Sequence, residues 1–99
     1  MYKQLDPLLH SQLRLAIISL LMGLTEAQFT YIQEKTGATA GNLSVQIDKL
    51  KDAGYIKVKK KFKNNYPLTL CSITNKGEEA FEQYVIDLKN YLEPKSHAA

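Results

Sequence analysis

Cysteine, arginine and glycine-rich stretches are nearly missing from this chain, and each shortage closes off a class of explanation. A single cysteine, Cys71, precludes an intramolecular disulfide and suits a reducing compartment such as the cytosol. With only His10 and His97 beside it, thiolate and imidazole ligands are too few and too scattered for a metal site. There is no glycine-rich phosphate loop, no nucleophile with a nearby base and no pair of carboxylates in an apolar setting, so an enzyme is not expected. The longest apolar run, around residues 15–24, is far short of a bilayer span and is broken by Ser19 and Gly23. Asp6-Pro7 interrupts the N-terminal region where a signal peptide needs a basic and then an apolar segment. These absences predict a cytoplasmic protein with no cofactor, no metal and no membrane partner.

What is present suffices for one core. The 99 residues, 44% of them apolar, make one domain and not two. The net charge is only +3, but it is unevenly spread. Lys57, Lys59, Lys60, Lys61 and Lys63 fall within seven residues that hold no acid. From Thr74 onward, Glu78, Glu79, Glu82, Asp87 and Glu93 stand against Lys76, Lys89 and Lys95. One end of the molecule therefore favours a polyanion and the other repels it.

The stretch 30–55, TYIQEKTGATAGNLSVQIDKLKDAGY, reads as two short helices joined by a tight turn. Thr30 can cap the first, with Gln33 at the capping-box spacing, and Gly37 supplies the left-handed residue that ends it. Thr39 is placed to cap the second, whose Leu43, Ile47 and Leu50 recur at helical spacing. Gly54 and Tyr55 fit a Schellman ending. Helix, glycine-containing turn and helix together form the helix-turn-helix signature.

Upstream, residues 1–5 read as a flexible arm. Asp6-Pro7 predicts a helix from Pro7 to about Met22. It is apolar nearly all round, so it must be buried on more than one face, as a central helix or in a subunit interface. Ala27 to Phe29 is at most a brief strand that needs a later hairpin to pair with. Downstream, Ile56, Val58 and Phe62 alternate with Lys57, Lys59, Lys61 and Lys63, and Lys60 breaks the pattern. Asn64-Asn65-Tyr66-Pro67 marks a turn, and Leu68 to Ile73 the returning strand. A last helix begins at Thr74 with the apolar stripe Phe81, Tyr84, Val85, Leu88, Tyr91 and Leu92. Glu93-Pro94 ends it and leaves residues 94–99 as a disordered tail.

The segments LLHSQLRLAIISLL, TGATAGNLSVQIDKLKDAGYIKV and SITNKGEEAFEQY, in that order, resemble the winged helix-turn-helix domain of bacterial and archaeal transcription regulators. The likeness is greatest to the MarR and ArsR type and their short stand-alone relatives, and it covers roughly residues 7–92. It implies an α+β, mainly helical fold over residues 6–93: a three-helix core, a short strand plus a two-stranded wing, and a C-terminal dimerisation helix from about residue 74. It further implies a regulator whose recognition helix enters the major groove of double-stranded DNA, with Thr39, Asn42, Ser44, Val45 and Lys49 toward the bases. Asn42 suits adenine, Lys49 a guanine edge or a phosphate, and Val45 a thymine methyl. Thr39 and the helix N-terminus suit phosphate. Asp48 and Asp52 on the same outer side repel it, and the arginine that many relatives show on this face is absent.

The wing residues Lys57, Lys59, Lys60, Lys61, Lys63, Asn64 and Asn65 are expected to follow the phosphate backbone. Lacking arginine, they suit backbone contact more than minor-groove reading. Arg14, the only arginine, is expected to bond carbonyls or a carboxylate within the fold, and Cys71 to be a small core residue. ArsR relatives often sense metals, but the ligands for that are wanting here. The stripe Phe81, Tyr84, Val85, Leu88, Tyr91 and Leu92 is close to a heptad seam and favours a homodimer. Two-fold symmetry would then set the recognition helices about 34 Å apart. Tyr84, Tyr91 and the leucines can line an effector pocket or pack a core equally well, so no small-molecule effector is specified. The rival reading is a winged helix whose lysines bind an acidic protein partner, with structured RNA as a third.

Overall fold

The first helix begins later than Asp6-Pro7 predicts. In the computed structural model, which describes residues 2–93, Asp6 opens only a turn. Its Oδ1 accepts from Leu8 N at 2.9 Å, and its carbonyl accepts from Leu9 N and His10 N. The guanidinium of Arg14 takes the Leu8 carbonyl through Nε at 2.6 Å. A continuous helix would have offered that carbonyl to Gln12. Ser11 is extended (φ −150°, ψ 127°) and serves as N-cap, so helix α1 spans Gln12–Met22. Arg14 thus bonds a carbonyl within the fold, and residues 7–10 stay outside the helix as a turn.

Strand β1 (Ala27–Gln28), helix α2 (Phe29–Thr36), helix α3 (Ala40–Asp52), strands β2 (Ile56–Lys63) and β3 (Tyr66–Ile73) and helix α4 (Asn75–Leu92) follow. This is the α+β, mainly helical winged-helix order. The strands form one antiparallel sheet in the order β1-β3-β2, with Ala27 opposite Cys71 and Val58 also opposite Cys71 on the other side. Pairing of Gln28 with Leu70 keeps the chain extended up to Gln28. Helix α2 therefore starts at Phe29, with Gln28 and not Thr30 at its N-cap, and the Thr30–Gln33 capping box does not form.

The other helix ends follow the sequence. Gly37 takes φ 71° and Gly54 φ 81°. Tyr55 N reaches the Leu50 carbonyl at 3.0 Å and Gly54 N the Lys51 carbonyl at 2.9 Å, the two bonds of a Schellman ending. Thr39 Oγ1 accepts from Asn42 N at 3.2 Å at the start of α3. Thr74 Oγ1 accepts from Gly77 N at 3.0 Å at the start of α4.

Helix α1 lies at the centre, with Ile17, Ile18 and Leu21 fully buried and touching α2, α3, α4 and β3. Leu9, Ile32, Leu43, Leu50 and Cys71 complete the fully buried set. Each buried Leu or Ile contributes roughly 1.5–3 kcal/mol over its exposed state.

Tyr55 ties three parts together. Its hydroxyl donates to Asp6 Oδ2 at 2.5 Å, and its carbonyl accepts from Thr74 N at 3.0 Å, with the Thr74 hydroxyl shared between the Gly54 carbonyl at 2.6 Å and the Tyr55 carbonyl at 3.1 Å. Gly77, buried in the first turn of α4, packs directly on that carbonyl. Residues 2–5 lie along the far end of α4: the Tyr2 ring is 4.8 Å from the Tyr91 ring, and the Tyr91 hydroxyl donates to the Lys3 carbonyl at 2.7 Å. Met1 and the expected tail 94–99 lie outside the described residues.

Candidate nucleic-acid interface

Leu43, Ile47 and Leu50 turn one side of α3 into the core, and the opposite side is left open. Thr39, Asn42, Ser44, Val45 and Lys49 are all exposed, Val45 by 50%. The Thr39 hydroxyl oxygen is engaged as the helix cap, which leaves its O–H as the free donor. Asp48 and Asp52 are exposed as well. Asp48 lines the cleft between α3 and the sheet, together with Ser44, Ile47, Val58, Lys60 and Thr69. One of the two unfavourable acids thus shares a cleft with a lysine.

Gln46 has a role that the helical pattern does not reveal. Its Oε1 accepts from Arg14 Nη1 at 2.5 Å, while its Nε2 donates to Asn42 Oδ1 at 3.0 Å. The core arginine therefore reaches the outer face of α3 through one amide. With Oδ1 of Asn42 held in this way, the amide N–H groups of this exposed residue remain as donors. The signal available in the sequence is the four-residue spacing of Asn42 and Gln46, which lets two helical amides meet.

The wing is a two-stranded ribbon with a tighter tip than the four-residue turn cluster predicts. Only Asn64 and Asn65 form the loop, both left-handed (φ 52° and 67°), and Tyr66 and Pro67 belong to β3. That is the two-residue turn whose twist matches the strands. Lys63 pairs with Tyr66, and Phe62 with Pro67. Hydrogen-bonded and open pairs alternate along the ladder, so Pro67 falls where no N–H is required of it.

All five lysines, with Asn64 and Asn65, are exposed. Lys57, Lys59, Lys61 and Lys63 share one face of the ribbon and follow one another about 6.8 Å apart. Lys60 is on the other face, toward α3, which is why it breaks the alternation. Among the described residues no third strand covers the ribbon between Leu70 and the tip. Phe62 (79% exposed) and Tyr66 (73%) stand free near the tip. Periodicity assigned Phe62 to the core face, and it missed that the core ends before reaching it.

The stripe on α4 divides. Tyr84 is buried in its own domain, its hydroxyl 3.1 Å from His10 Nδ1, and Phe81 and Leu88 pack partly on the core. Val85 is half-buried, while Tyr91, Leu92 and Ile86 are exposed. Ile86 was not in the sequence-derived set.

Two groups elsewhere are shifted by their surroundings. Burial, assisted by the bond to Asp6 and its negative charge, pushes the Tyr55 hydroxyl up to about 12. Burial alone pushes the Cys71 thiol up to about 11, which keeps it protonated as befits a core residue. Among the described residues, no group of three His, Cys, Asp or Glu side chains could hold a metal ion, and no helix is long and apolar enough to cross a membrane.

Residues 13–92 match the family model of the winged helix DNA-binding domain. The chain belongs to this family. An uncharacterized protein of Methanocaldococcus jannaschii is 37% identical over 79 residues, covering 80% of this chain and 86% of its own. Among solved structures, a transcriptional regulator homologue from Pyrococcus horikoshii superposes with a TM-score of 0.82 at 30% identity, covering 88% of this chain and 86% of its own. A MarR family transcriptional regulator from Streptomyces coelicolor gives 0.63 at 27% identity, over 77% of this chain and 52% of the longer neighbour. The winged helix described above is thus a DNA-binding regulator domain of MarR-like build.

Proposed function

We propose that this winged helix binds duplex DNA as a homodimer. In that complex the N-terminal half of α3 lies in the major groove and the lysine ribbon lies on the phosphate backbone. The observation that carries the reading is the ribbon itself: five exposed lysines and no acid between Ile56 and Ile73, beside a helix whose outer face is open. Val45, Lys49 and the Asn42 amide supply an apolar contact, a cation and a donor for base edges. Asn42 can donate to adenine N7 and, through the second lone pair of its Oδ1, accept from adenine N6 while Gln46 stays bonded to it. The less buried part of the α4 stripe, Val85, Leu88 and Leu92, would form the dimer seam, since Tyr84 is buried in its own subunit and Tyr91 packs on Tyr2 and Lys3.

Titration against duplex at several salt concentrations tests this. Binding should fall steeply with salt, and Lys60→Ala with Lys61→Ala should reduce the slope by about 2, close to one per phosphate contact. No affinity for duplex at low salt rejects the proposal and leaves an acidic protein as the partner. Preference for structured RNA in competition rejects it also. Selection from a random pool should return a palindrome with half-sites about ten base pairs apart if the domain acts as a dimer.

A further inference from the structure

The wing carries an aromatic ring that the fold does not use. Phe62 continues the apolar series Ile56 and Val58, yet it is 79% exposed. Strand β1 pairs only with Cys71 and Leu70, and the cleft beneath α3 stops at Lys60 and Thr69. Phe62 stands one pleat beyond, across from Pro67, on the ribbon face that carries α3 at its root. Leaving a phenyl ring in water forgoes roughly the whole gain of burying it. The ribbon that carries the ring is stiff. The tight Asn64-Asn65 turn and Pro67 restrain it; Lys60 shares the ring's face, while Lys61 and Lys63, its neighbours along the strand, project from the opposite face.

An apolar ring on a stiff projection, with Lys60 on its own face and further lysines on the reverse, fits a partner with an anionic surface and an apolar interior. Duplex DNA is such a partner: its phosphates border a groove whose base steps can be parted. An anionic membrane shares the two features but fits less well. The face bearing Phe62 also bears the exposed polar residues of α3, which cannot follow the ring into lipid.

The geometry points to Phe62 as a wedge that enters the minor groove and unstacks a base step while Lys60, on the same face, holds a bordering phosphate. This rests on the duplex-binding reading above. It adds a deformation of the DNA, and with it a preference for flexible pyrimidine–purine steps.

The test compares the full chain with Phe62→Ala and Phe62→Leu on a duplex that carries a fluorescent adenine analogue beside a TA step. Wild type should raise the fluorescence as the base unstacks. Phe62→Ala removes a side chain that is 79% exposed, so it should keep the circular dichroism spectrum and the salt slope. It should lose about tenfold to a hundredfold in affinity together with the fluorescence rise. Phe62→Leu, still an apolar wedge, should retain most of both. If wild type and Phe62→Ala bind equally, or affinity falls without any unstacking signal in wild type, the wedge is overturned while the lysine-dependent duplex reading stands. If wild type does not bind duplex at all, both fall. If Phe62→Ala alters only binding to vesicles containing phosphatidylserine, the ring serves a lipid surface and the wedge is equally overturned.

Discussion

Replacing Gly77 by alanine should destabilise the protein, although helix propensity alone says the reverse. Alanine in place of glycine within a helix is favourable by about 1 kcal/mol. At Gly77, however, the added methyl would overlap the Tyr55 carbonyl oxygen and sit 2.9 Å from Ile73 Cγ1 and 3.0 Å from the Tyr55 carbonyl carbon. That carbonyl cannot withdraw freely, because Thr74 N holds it at 3.0 Å and the Thr74 hydroxyl proton is shared between it and the nearer Gly54 carbonyl. Overpacking of this kind costs about 2 kcal/mol and losing one of the two bonds about 1 more, so the net loss is about 2 kcal/mol. For a domain of this size that lowers Tm by about 8–16 °C. Gly41 in α3 is the internal control. Nothing lies within 4 Å of a methyl added there, so Gly41→Ala should raise stability by about 0.5–1 kcal/mol. Urea and thermal unfolding followed by circular dichroism reads both. A Gly77→Ala protein that melts at or above the wild-type temperature would refute the claim that α4 is seated on the Tyr55 carbonyl.

Two further outcomes follow from groups already described. Tyr55 rises from 10.0 to about 12 and Cys71 from 9.0 to about 11 on folding, so both favour the native state fully below pH 9, and that stability is lost as the pH climbs through 12. Unfolding midpoints measured across this alkaline range should therefore fall. Tyr55→Phe should flatten the upper part of the decline, and an unchanged profile would count against burial as the cause. Gln46→Ala frees the Asn42 amide from its fixed orientation. Discrimination at the base facing Asn42 should relax by about fivefold with little change in the salt slope, as measured on duplexes differing at that base pair. An equal loss on every duplex would mean that Gln46 acts through stability alone.

The legible parts of the fold are those fixed by local chemistry. Gly37, Gly54, Thr39 and Thr74 announce helix ends because a left-handed residue or a capping hydroxyl acts within a few positions. The illegible parts depend on partners distant in the chain. Asp6-Pro7 is a good helix start, but Arg14 takes the Leu8 carbonyl and the N-cap falls at Ser11. Thr30 has the right spacing to cap α2, but pairing of Gln28 with Leu70 sets the boundary earlier. Alternation along β2 shows which face Phe62 shares, not how far the core extends beneath that face. The Gln46 bridge needs three elements to be in place before it exists.

Cys71 offers an experimental consequence of its position in the sheet. It is the molecule's sole thiol and lies wholly enclosed, with Ala27 on one flank and Val58 on the other. A sulfhydryl reagent mixed with native protein has one place to react and can reach it only while the strands have separated. The rate of labelling is therefore a stopwatch for breathing at the root of the hairpin. Running it with and without bound duplex would report how firmly a docked ribbon locks the sheet behind it.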